Sequence, residues 1–276
     1  MTKQKIPVAL TIAGSDSGGG AGIQADLRTF AFHCVHGTSA ITCVTAQNTL
    51  GVTRVDALPA AAVIAQIQAV VEDIGIQAAK TGMLLNQEII TAVAQQVREL
   101  EIQNLVVDPV MVSRTGAQLI DDAAVMSLRD LIPLATVVTP NKYEAQLLSG
   151  LEIHNIDDMR AAAGQIYQLG AKAVLVKGGG MTGNLRGVDV WFDGQRWETL
   201  TTMQVDTDNT HGTGCTLAAA IAAHLALGND SLTAVRRAKE YVTTALQYAL
   251  DIGNGQGPVG HFFPLLAVDG YSRGQN

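Results

Sequence analysis

The chain has 276 residues, 47% of them hydrophobic, and a formal net charge of −7. This length can bury a large core and fits one large α/β domain or two small ones, and the acidic balance argues against a nucleic-acid partner. The three cysteines are odd in number and widely spaced, which matches neither a disulfide framework nor a zinc site, so we expect a reducing cytoplasm. No apolar stretch approaches membrane-spanning length without glycine or charge, so no membrane partner is expected.

Short β-branched runs alternate with longer helical patterns along the chain. This alternation of βαβ units predicts an α/β fold, in which helices cover both faces of a parallel sheet. The predicted strands are Val8–Ala13, Ser39–Ala46, Gln77–Lys80, Leu105–Asp108, Thr136–Thr139 and Ala173–Lys177. The predicted helices are Ile23–Phe32, Ala60–Ile74, Gln87–Leu100, Asp122–Leu131, Lys142–Leu148, Asp157–Leu169, Gly214–Leu227 and Ser231–Leu250.

Residues 187–205 differ from this alternation. Two short apolar runs flank Asp193-Gly194, which predicts a hairpin that extends one edge of the sheet. No internal repeat, linker or low-complexity block interrupts the sequence. We therefore predict one domain over residues 1–276.

The first strand runs into GSDSGGGAGIQAD at 14–26. Ile23, Leu27 and Phe30 share one helix face, and Asp26 falls on that apolar face. A carboxylate turned inward has to be paired or hydrogen-bonded, because burying it alone is costly. Two interpretations fit this stretch about equally: a turn in which nearby backbone satisfies Asp26, and a ligand site at the amino end of the helix.

Polar or glycine residues follow nearly every predicted strand. Ligands of open parallel sheets bind outside the carboxyl ends of the strands, so this run predicts a site along that edge. The strand-end residues are Gly14-Ser15-Asp16, Gln47-Asn48, Lys80-Thr81-Gly82-Met83, Asp108-Pro109, Pro140-Asn141 and Lys177-Gly178-Gly179.

The stretch NTHGTGCT at 209–216 precedes a helix that is apolar on nearly all sides and is predicted to be buried. Its amino-terminal N–H groups favour an anion, and Gly212 and Gly214 let a phosphate come close. Cys215 lies in the first turn, where the helix is expected to lower the thiol pKa from about 8.5 towards neutrality. The alternative is a plain entry to a core helix with Cys215 as a small hydrophobe. We favour the anion site, and expect His211 to be only a hydrogen-bond partner.

Three oxygen-bearing side chains favour magnesium. Asn141 and Glu144 lie one helical turn apart and can hold a hydrated Mg²⁺. Asp108 ends an otherwise apolar strand, a costly place for an unpartnered charge. Alone, Asn141 would be an N-cap completed by Glu144 in a capping box; beside Asp108 and the GTGC helix end, the metal role is slightly favoured. The sequence has no Walker A motif, so if the protein uses ATP, that helix end would hold the phosphates instead.

A set of motifs runs from the first strand to the last buried helix: AGSDSGGGAGIQADL at 13–27, TAQNTLGV at 45–52, KTGML at 80–84, VVDPVM at 106–111, TPNKYEA at 139–145, VKGG at 176–179 and NTHGTGCTL at 209–217. Together they resemble the ribokinase-like superfamily, and within it the hydroxymethylpyrimidine/phosphomethylpyrimidine kinases of thiamin synthesis. The resemblance implies a three-layer α/β/α sandwich. It also implies Mg²⁺- and ATP-dependent phosphorylation of 4-amino-5-hydroxymethyl-2-methylpyrimidine, and then of its monophosphate.

The resemblance also implies roles at the pyrimidine end of the site. Gln47 is expected to hydrogen-bond the pyrimidine edge, since its amide offers a donor and an acceptor. Gly14, Met83 and Val110 match residues around the ring. Asp26 matches an inward aspartate near the substrate.

At the nucleotide end, Asn141 and Glu144 match the Asn-x-x-Glu element of the superfamily for Mg²⁺, and Asp108 is a further candidate for metal and nucleotide. Lys177 matches the nucleotide side. Cys215 stands where most sugar kinases of the superfamily carry an aspartate as base, so it either accepts the hydroxyl proton or only positions the hydroxyl. The candidates for catalysis and phosphate binding are Gly212, Thr213, Gly214 and Cys215.

Three other functions remain open from the sequence. A pyridoxal kinase is the nearest, alone or as a side activity. A binding module without catalysis would take the pyrimidine and release no ADP. A Rossmann dehydrogenase is disfavoured, because GGGAG is not a clean dinucleotide fingerprint. The expected partners are ATP and a small pyrimidine, and the family resemblance implies a homodimer.

Overall fold

The computed structural model describes residues 6–111 and 122–266. The strands are β1 (Val8–Ala13), β2 (His36–Ile41), β3 (Cys43–Gln47), β4 (Val52–Ala57), β5 (Ala78–Thr81), β6 (Leu105–Val107), β7 (Val137–Val138), β8 (Val174–Val176), β9 (Asp189–Phe192) and β10 (Trp197–Leu200). The helices are α1 (Gly22–Phe32), α2 (Ala60–Asp73), α3 (Gln87–Glu99), α4 (Asp122–Leu131), α5 (Lys142–Ser149), α6 (Ile156–Tyr167), α7 (Thr213–Ala226), α8 (Ser231–Gln247) and the short α9 (Phe263–Leu266). None of the described helices is both long and apolar enough to cross a membrane.

Eight of the strands form one sheet in the order β10-β9-β8-β7-β6-β5-β1-β2. The neighbours from β8 to β2 pair in parallel, which confirms the predicted mostly parallel sheet. β1 lies between β2 and β5, so the chain first adds β2 on one side of β1 and later adds β5 and the following strands on the other side. Such a reversal of strand order leaves a crevice at the carboxyl ends of the strands.

Helices cover both faces of this sheet, as predicted. Side chains alternate between the faces along each strand. Leu10 and Ile12 of β1 join the core under α2 to α6, whereas Ala9 joins the core under α1, α7 and α8. Every residue from Thr216 to Ala226 of α7 is buried, which confirms the prediction of a buried helix.

The predicted strand Ser39–Ala46 is wrong, because the chain changes sheets inside it. β2 ends at Ile41, and Thr42 turns aside, with its N–H donating to the Ala13 carbonyl and its hydroxyl to the Met83 carbonyl. β3 then pairs in antiparallel fashion with β4, a strand that we did not predict, in a separate two-stranded sheet. β4 has no buried residue, so its sequence lacks the apolar alternation that marks a strand in a core.

The predicted edge hairpin is confirmed. β9 pairs in antiparallel fashion with β8 and with β10. Between β9 and β10, the Asp193 carboxylate accepts hydrogen bonds from the N–H groups of Gln195 at 3.0 Å and Arg196 at 2.7 Å. Gly194 has φ +91°, the left-handed conformation that this turn requires.

Candidate active site

The carboxyl ends of the parallel strands surround one cavity of about 770 Å³. The candidate residues from the sequence line this cavity, with Asp26 as the exception. Those in the lining are Gly14, Gln47, Met83, Asp108, Val110, Asn141, Glu144, Lys177, Gly212, Thr213, Gly214 and Cys215. The structure therefore brings together residues that are separated by up to 201 positions in the chain, whereas the individual roles stay predictions.

Asp16 organises the glycine-rich loop between β1 and α1. Its Oδ1 accepts from the Gly18 N–H at 2.8 Å, and its Oδ2 accepts from the N–H groups of Gly20 at 3.0 Å and Ala21 at 2.8 Å. Nε2 of His211 lies 2.8 Å from the same Oδ2. Burial raises the pKa of Asp16, but the hydrogen bonds from His211 and the backbone lower it by more, so the net shift is downward. An ionised Asp16 thus ties this loop to the NTHGTGCT segment.

Gly212 is the N-cap of α7 and has a left-handed backbone with φ +80°. A Cβ added at Gly212 would collide with the carbonyl oxygen of Gly20, and a Cβ added at Gly20 would collide with Cδ2 of His211. The two loops therefore pack backbone against backbone. This contact is the physical reason for glycine in both motifs.

The first turn of α7 lines the cavity with Thr213, Gly214 and Cys215. A Cβ added at Gly214 would lie 3.4 Å from Nζ of Lys177 and 4.0 Å from Oδ2 of Asp108. The positive end of a helix and an ammonium group therefore meet in the cavity wall. Both favour an anion, and the absence of a side chain at Gly214 lets one reach the backbone.

Lys177 and Asp108 form a partly buried ion pair at the ends of β8 and β6. Nζ of Lys177 donates to Oδ1 of Asp108 at 2.8 Å, and the Thr139 hydroxyl donates to the same oxygen at 3.0 Å. Burial lowers the pKa of Lys177, but Asp108 and Glu144 raise it, and the net shift is upward. Lys177 is therefore a fixed positive charge beside α7.

The expectation of a lowered thiol pKa at Cys215 is wrong. Burial raises this pKa, although the Lys80 ammonium lowers it, and Asp26 and Asp108 raise it further; the resulting value is about 11. The Gly22 N–H also favours the thiolate, but desolvation outweighs both it and the Lys80 ammonium. Cys215 is consequently a neutral thiol at pH 7.

Asn141 and Glu144 form a capping box at the start of α5. Oδ1 of Asn141 accepts from the Glu144 N–H at 3.0 Å, and Oε2 of Glu144 accepts from the Asn141 N–H at 2.8 Å. The structural interpretation that we ranked second is therefore confirmed, and the metal role stays a prediction. Burial raises the pKa of Glu144 to about 7, with Asp108 adding to the rise and Lys177 opposing it.

Asp26 lies behind the cavity wall and is not among its lining residues, and its expected place near the substrate stays a prediction. The carboxylate is fully buried and accepts from Nζ of Lys80 at 2.8 Å and from the Thr11 hydroxyl at 2.6 Å, both at Oδ2. An inward aspartate with partners was predicted; the partners are two side chains of neighbouring strands and not nearby backbone. Lys80 itself does line the cavity.

The far end of the cavity has a backbone wall at Gly14. A Cβ there would lie 2.6 Å from Sγ of Cys43 and 2.9 Å from Cε of Met83. Gly14 therefore leaves room for two sulfur-bearing side chains. Cys43 was not a candidate, because nothing in its sequence context distinguishes it from an ordinary core residue.

Gln47 extends into this end of the cavity from β3. Its Oε1 lies 3.3 Å from the Thr45 hydroxyl, and its Nε2 lies 3.4 Å from Nε2 of His211. The His211 Nε2–H is already directed at Asp16, because a carboxylate only accepts. The Gln47 amide thus has weak contacts in the protein that the donor and acceptor of a ligand could replace.

Sequence reasoning missed some contributions to this site and ranked others low. Asp16 and Lys80 were noted only as strand ends, and His211 was ranked low. Val52 and Val55 reach the cavity from the unpredicted strand β4. Asp16 and His211 are 195 positions apart in the chain. The glycines beside each of them were the sequence signal that indicated a close approach of the two loops.

A second cavity of about 410 Å³ adjoins the first. Residues that line both cavities are Asn141, Lys177, Gly180, Thr210, Thr213 and Gly214. The first turn of α7 therefore lies where the two cavities meet. A ligand that occupied both would place its middle at the amino end of this helix.

Comparison with known proteins identifies the family. Residues 16–260 match the family described as phosphomethylpyrimidine kinase. The chain belongs to this kinase family. It is 64% identical over 262 residues to the hydroxymethylpyrimidine/phosphomethylpyrimidine kinase of Synechococcus elongatus, which covers 95% of this chain and 99% of the relative.

Solved structures agree with this kinase fold. The phosphomethylpyrimidine kinase of Clostridium difficile is 44% identical, with a TM-score of 0.78 over 88% of this chain and all of that one. An ADP complex of Bacillus subtilis pyridoxal kinase is 40% identical, with a TM-score of 0.89 over 95% of this chain and all of that one. The ribokinase-like fold expected from the motifs is thereby confirmed.

Proposed function

We propose that this kinase transfers the γ-phosphoryl group of ATP to 4-amino-5-hydroxymethyl-2-methylpyrimidine and then to its monophosphate, in thiamin biosynthesis. One observation carries the proposal: a single cavity is lined both by Gln47 and by the first turn of α7 together with Lys177. The family match supports both the acceptor and the phosphoryl donor.

ATP fits the pair of adjoining cavities. The phosphates would lie at the first turn of α7, where Gly214 and Lys177 belong to both walls, and the nucleoside would occupy the second cavity. The ADP bound to the related pyridoxal kinase supports nucleotide binding in this fold. In this arrangement the γ-phosphate would point towards Cys215 and the pyrimidine.

The carboxylate and amide oxygens of Asp108, Glu144 and Asn141 fit Mg²⁺ beside these phosphates. Asn141 and Glu144 keep each other in place through the capping box. Among the described residues no group of three His, Cys, Asp or Glu side chains is arranged to hold a metal, which suits an ion that keeps several waters and binds mainly phosphates. Bound Mg²⁺ would offset charge on those phosphates.

The chain's own groups would position an in-line transfer. The hydroxyl oxygen of the substrate, held beside Cys215, attacks the γ-phosphorus, the bond to the β–γ bridging oxygen breaks, and ADP leaves. The N–H groups of Gly214 and Cys215 and the Lys177 ammonium stabilise charge on the transferring group. Because the transition state is loose, the hydroxyl proton leaves late, to the transferred group or to solvent. A neutral thiol at Cys215 is then suited to hold the hydroxyl rather than to act as a strong base.

Replacement of Cys215 by alanine should lower kcat about 100-fold and leave the KM for the pyrimidine within a few-fold, because the thiol orients the hydroxyl in the transition state more than in the ground state. Steady-state kinetics in a coupled ADP assay measure this. Cys34→Ala, at an exposed cysteine, is the matched control. Equal turnover in Cys215→Ala and the parent would contradict a catalytic role of this thiol.

Replacement of Gln47 by alanine should raise the KM for the pyrimidine about 10- to 100-fold with little change in kcat, since it removes a donor and an acceptor that serve binding. The same assay with varied pyrimidine measures it. Gln95→Ala, which removes an exposed glutamine on α3, is the control. An unchanged KM would show that Gln47 does not contact the ring.

Pyridoxal is the second candidate substrate, because the pyridoxal kinase of Bacillus subtilis superimposes so well on this chain. ATP consumption should be measured side by side with hydroxymethylpyrimidine, its monophosphate, pyridoxal and ribose. The highest kcat/KM with the pyrimidines supports the proposal, and the highest with pyridoxal replaces it by the alternative. Pyrimidine binding without ADP release would identify a binding module.

We also propose a homodimer in a reducing cytoplasm, with no nucleic-acid partner. Val44 and Leu50, on β3 and in the loop that follows it, are 48% and 62% exposed, which favours cover by another chain. All three cysteines are free, as a reducing compartment would leave them. Sedimentation velocity distinguishes the dimer from a monomer.

A further inference from the structure

The glycine-rich loop between β1 and α1 runs along one edge of β3. Ser15 donates its N–H to the Cys43 carbonyl at 2.9 Å, and its own carbonyl accepts from the Thr45 hydroxyl at 2.7 Å. Two residues further on, the Ser17 hydroxyl contacts Gln47. These contacts recur at every second residue of β3, the interval at which a strand bonds to a neighbour. Because β4 pairs with the other edge of β3, the loop takes the place of a strand on this one.

The hydroxyl of Ser17 holds both backbone polar groups of Gln47. It donates to the Gln47 carbonyl at 2.7 Å, and its oxygen accepts from the Gln47 N–H at 2.8 Å. Gly18 lets the loop come this close, since a Cβ there would lie 3.2 Å from the Gln47 carbonyl oxygen and 3.2 Å from Cα of Asn48. Ser17 itself is exposed, so the contact does not follow from packing in a core.

The backbone of Gln47 lies at an irregularity of the small sheet. Ala46 pairs with Arg54, whereas Gln47 pairs with Val52, so Thr53 is an extra residue on β4. A bulge of this kind changes the direction of the side chains beside it. The direction of the Gln47 side chain therefore depends on how the backbone is held at this point.

The contacts of the Gln47 amide are weaker than those of its backbone. They measure 3.3 Å to Thr45 and 3.4 Å to His211, against 2.7 and 2.8 Å for the two hydrogen bonds to Ser17. The backbone therefore directs this amide more firmly than the amide's own contacts do. Ser17 is not among the residues that line either cavity, so its effect on a ligand would pass through Gln47.

We propose that Ser17 is a positioning residue that directs the Gln47 amide at the acceptor by holding the Gln47 backbone. The same loop is tied to His211 through Asp16, so Ser17 places the acceptor end of the site relative to α7. The consequence for acceptor binding rests on the proposed function. The hold on the Gln47 backbone does not, because it exists in the free protein.

Three variants of the full chain test this proposal. Ser17→Ala removes the hydroxyl, and Ser17→Thr keeps it at an exposed position without a left-handed φ. Ser149→Ala is the matched control, because the Ser149 hydroxyl also donates to a carbonyl, that of Ala145 at 2.6 Å, and accepts from an N–H, that of Leu151 at 3.2 Å. Ser149 lies at the end of α5 and lines neither cavity.

We expect Ser17→Ala to raise the KM for the pyrimidine about fivefold with kcat within about twofold, because a less firmly held Gln47 weakens binding more than transfer. Ser17→Thr and Ser149→Ala should keep the KM within about twofold of the parent. The coupled ADP assay with varied pyrimidine measures these values. A KM as high in Ser17→Thr as in Ser17→Ala would overturn the proposal, since the hydroxyl would then not be the group that acts.

A double-mutant cycle shows whether Ser17 acts through Gln47. When Gln47→Ala is already present, addition of Ser17→Ala should change the KM by less than about twofold, because the side chain that Ser17 positions is absent. A general structural effect of Ser17→Ala would raise the KM by the same factor in both backgrounds. That result would overturn the proposal.

Hydrogen exchange separates this proposal from the function on which it builds. In the ligand-free chain, NMR should show exchange of the Gln47 backbone N–H about fivefold faster in Ser17→Ala than in the parent, since this N–H loses its acceptor. Unchanged exchange would overturn the proposal. Faster exchange in a chain that phosphorylates no pyrimidine would support the hold of Ser17 on Gln47 and refute the proposed function. A parental KM in an active Ser17→Ala enzyme would refute the positioning role and leave the function standing.

Discussion

Gly212→Ala is expected to lower kcat about 100-fold or more, because the new Cβ has to displace the backbone at the amino end of α7. The residue has φ +80°, which costs an L-residue about 1 to 2 kcal/mol, and the added carbon collides with the Gly20 carbonyl. A shift of about 1 Å in groups that position a reaction is enough for a 100-fold loss. The coupled ADP assay measures kcat, and thermal unfolding reports the strain.

Gly164→Ala is the matched control for this prediction. This glycine lies in α6 away from both cavities, has no left-handed φ, and has open space around an added Cβ. The variant should keep kcat within about threefold of the parent, since no strain or displacement is introduced. Equal kcat values for Gly212→Ala and Gly164→Ala would contradict the close packing of the two loops as a requirement for catalysis.

Asp16→Asn should lower the free energy of unfolding by about 3 kcal/mol, because an amide cannot accept at both positions from the donors that converge on this carboxylate. Oδ1 serves Gly18, whereas Oδ2 serves Gly20, Ala21 and His211. Urea unfolding at pH 7 measures the loss. Asp56→Asn, at an exposed aspartate paired with Arg54, should be indistinguishable from the parent.

The loss of stability in Asp16→Asn should also depend on pH, in a direction that the pKa of Asp16 determines. The pKa of Asp16 is lowered in the folded protein. Its contribution to the free energy of unfolding is therefore fully present above the pKa of an unfolded aspartate, about 3.9, and is lost as the pH falls through the lower pKa of the folded state. The stability gap between the parent and Asp16→Asn should therefore be constant between about pH 5 and 8 and narrow below about pH 4. A gap that widens in acid would show that the carboxylate is not stabilised as an anion.

The periodicity of the sequence was sufficient for most of the fold. The core strands and the long helices bury regular apolar positions, and the uniformly apolar α7 is indeed buried. β4 escaped prediction because none of its residues is buried. The break at Thr42 was equally hidden, since it depends on contacts with Ala13 and Met83 on other strands.

The sequence predicted which residues line the site better than it predicted their ionisation and their partners. Strand ends of a parallel sheet meet at one edge whatever their sequence separation, so Gln47, Asp108 and Lys177 could be grouped without coordinates. The ionisation state of Cys215 could not be predicted from the sequence, because it depends on whether desolvation or the helix terminus has the larger effect on the thiol pKa. Asp26 and Lys80 are 54 positions apart in the chain, so their ion pair leaves no periodic signal in the sequence.

The small sheet of β3 and β4 adds residues to one side of a site that the large sheet otherwise builds. Gln47, Val52 and Val55 come from this sheet, whereas the groups that would handle phosphate come from the large sheet and α7. If Gln47 contacts the acceptor as proposed, mutations within residues 43–57 should change acceptor choice and leave the groups that would handle phosphate intact. Vitamin kinases that share this scaffold and differ in acceptor have a direct structural route by which one could diverge from another.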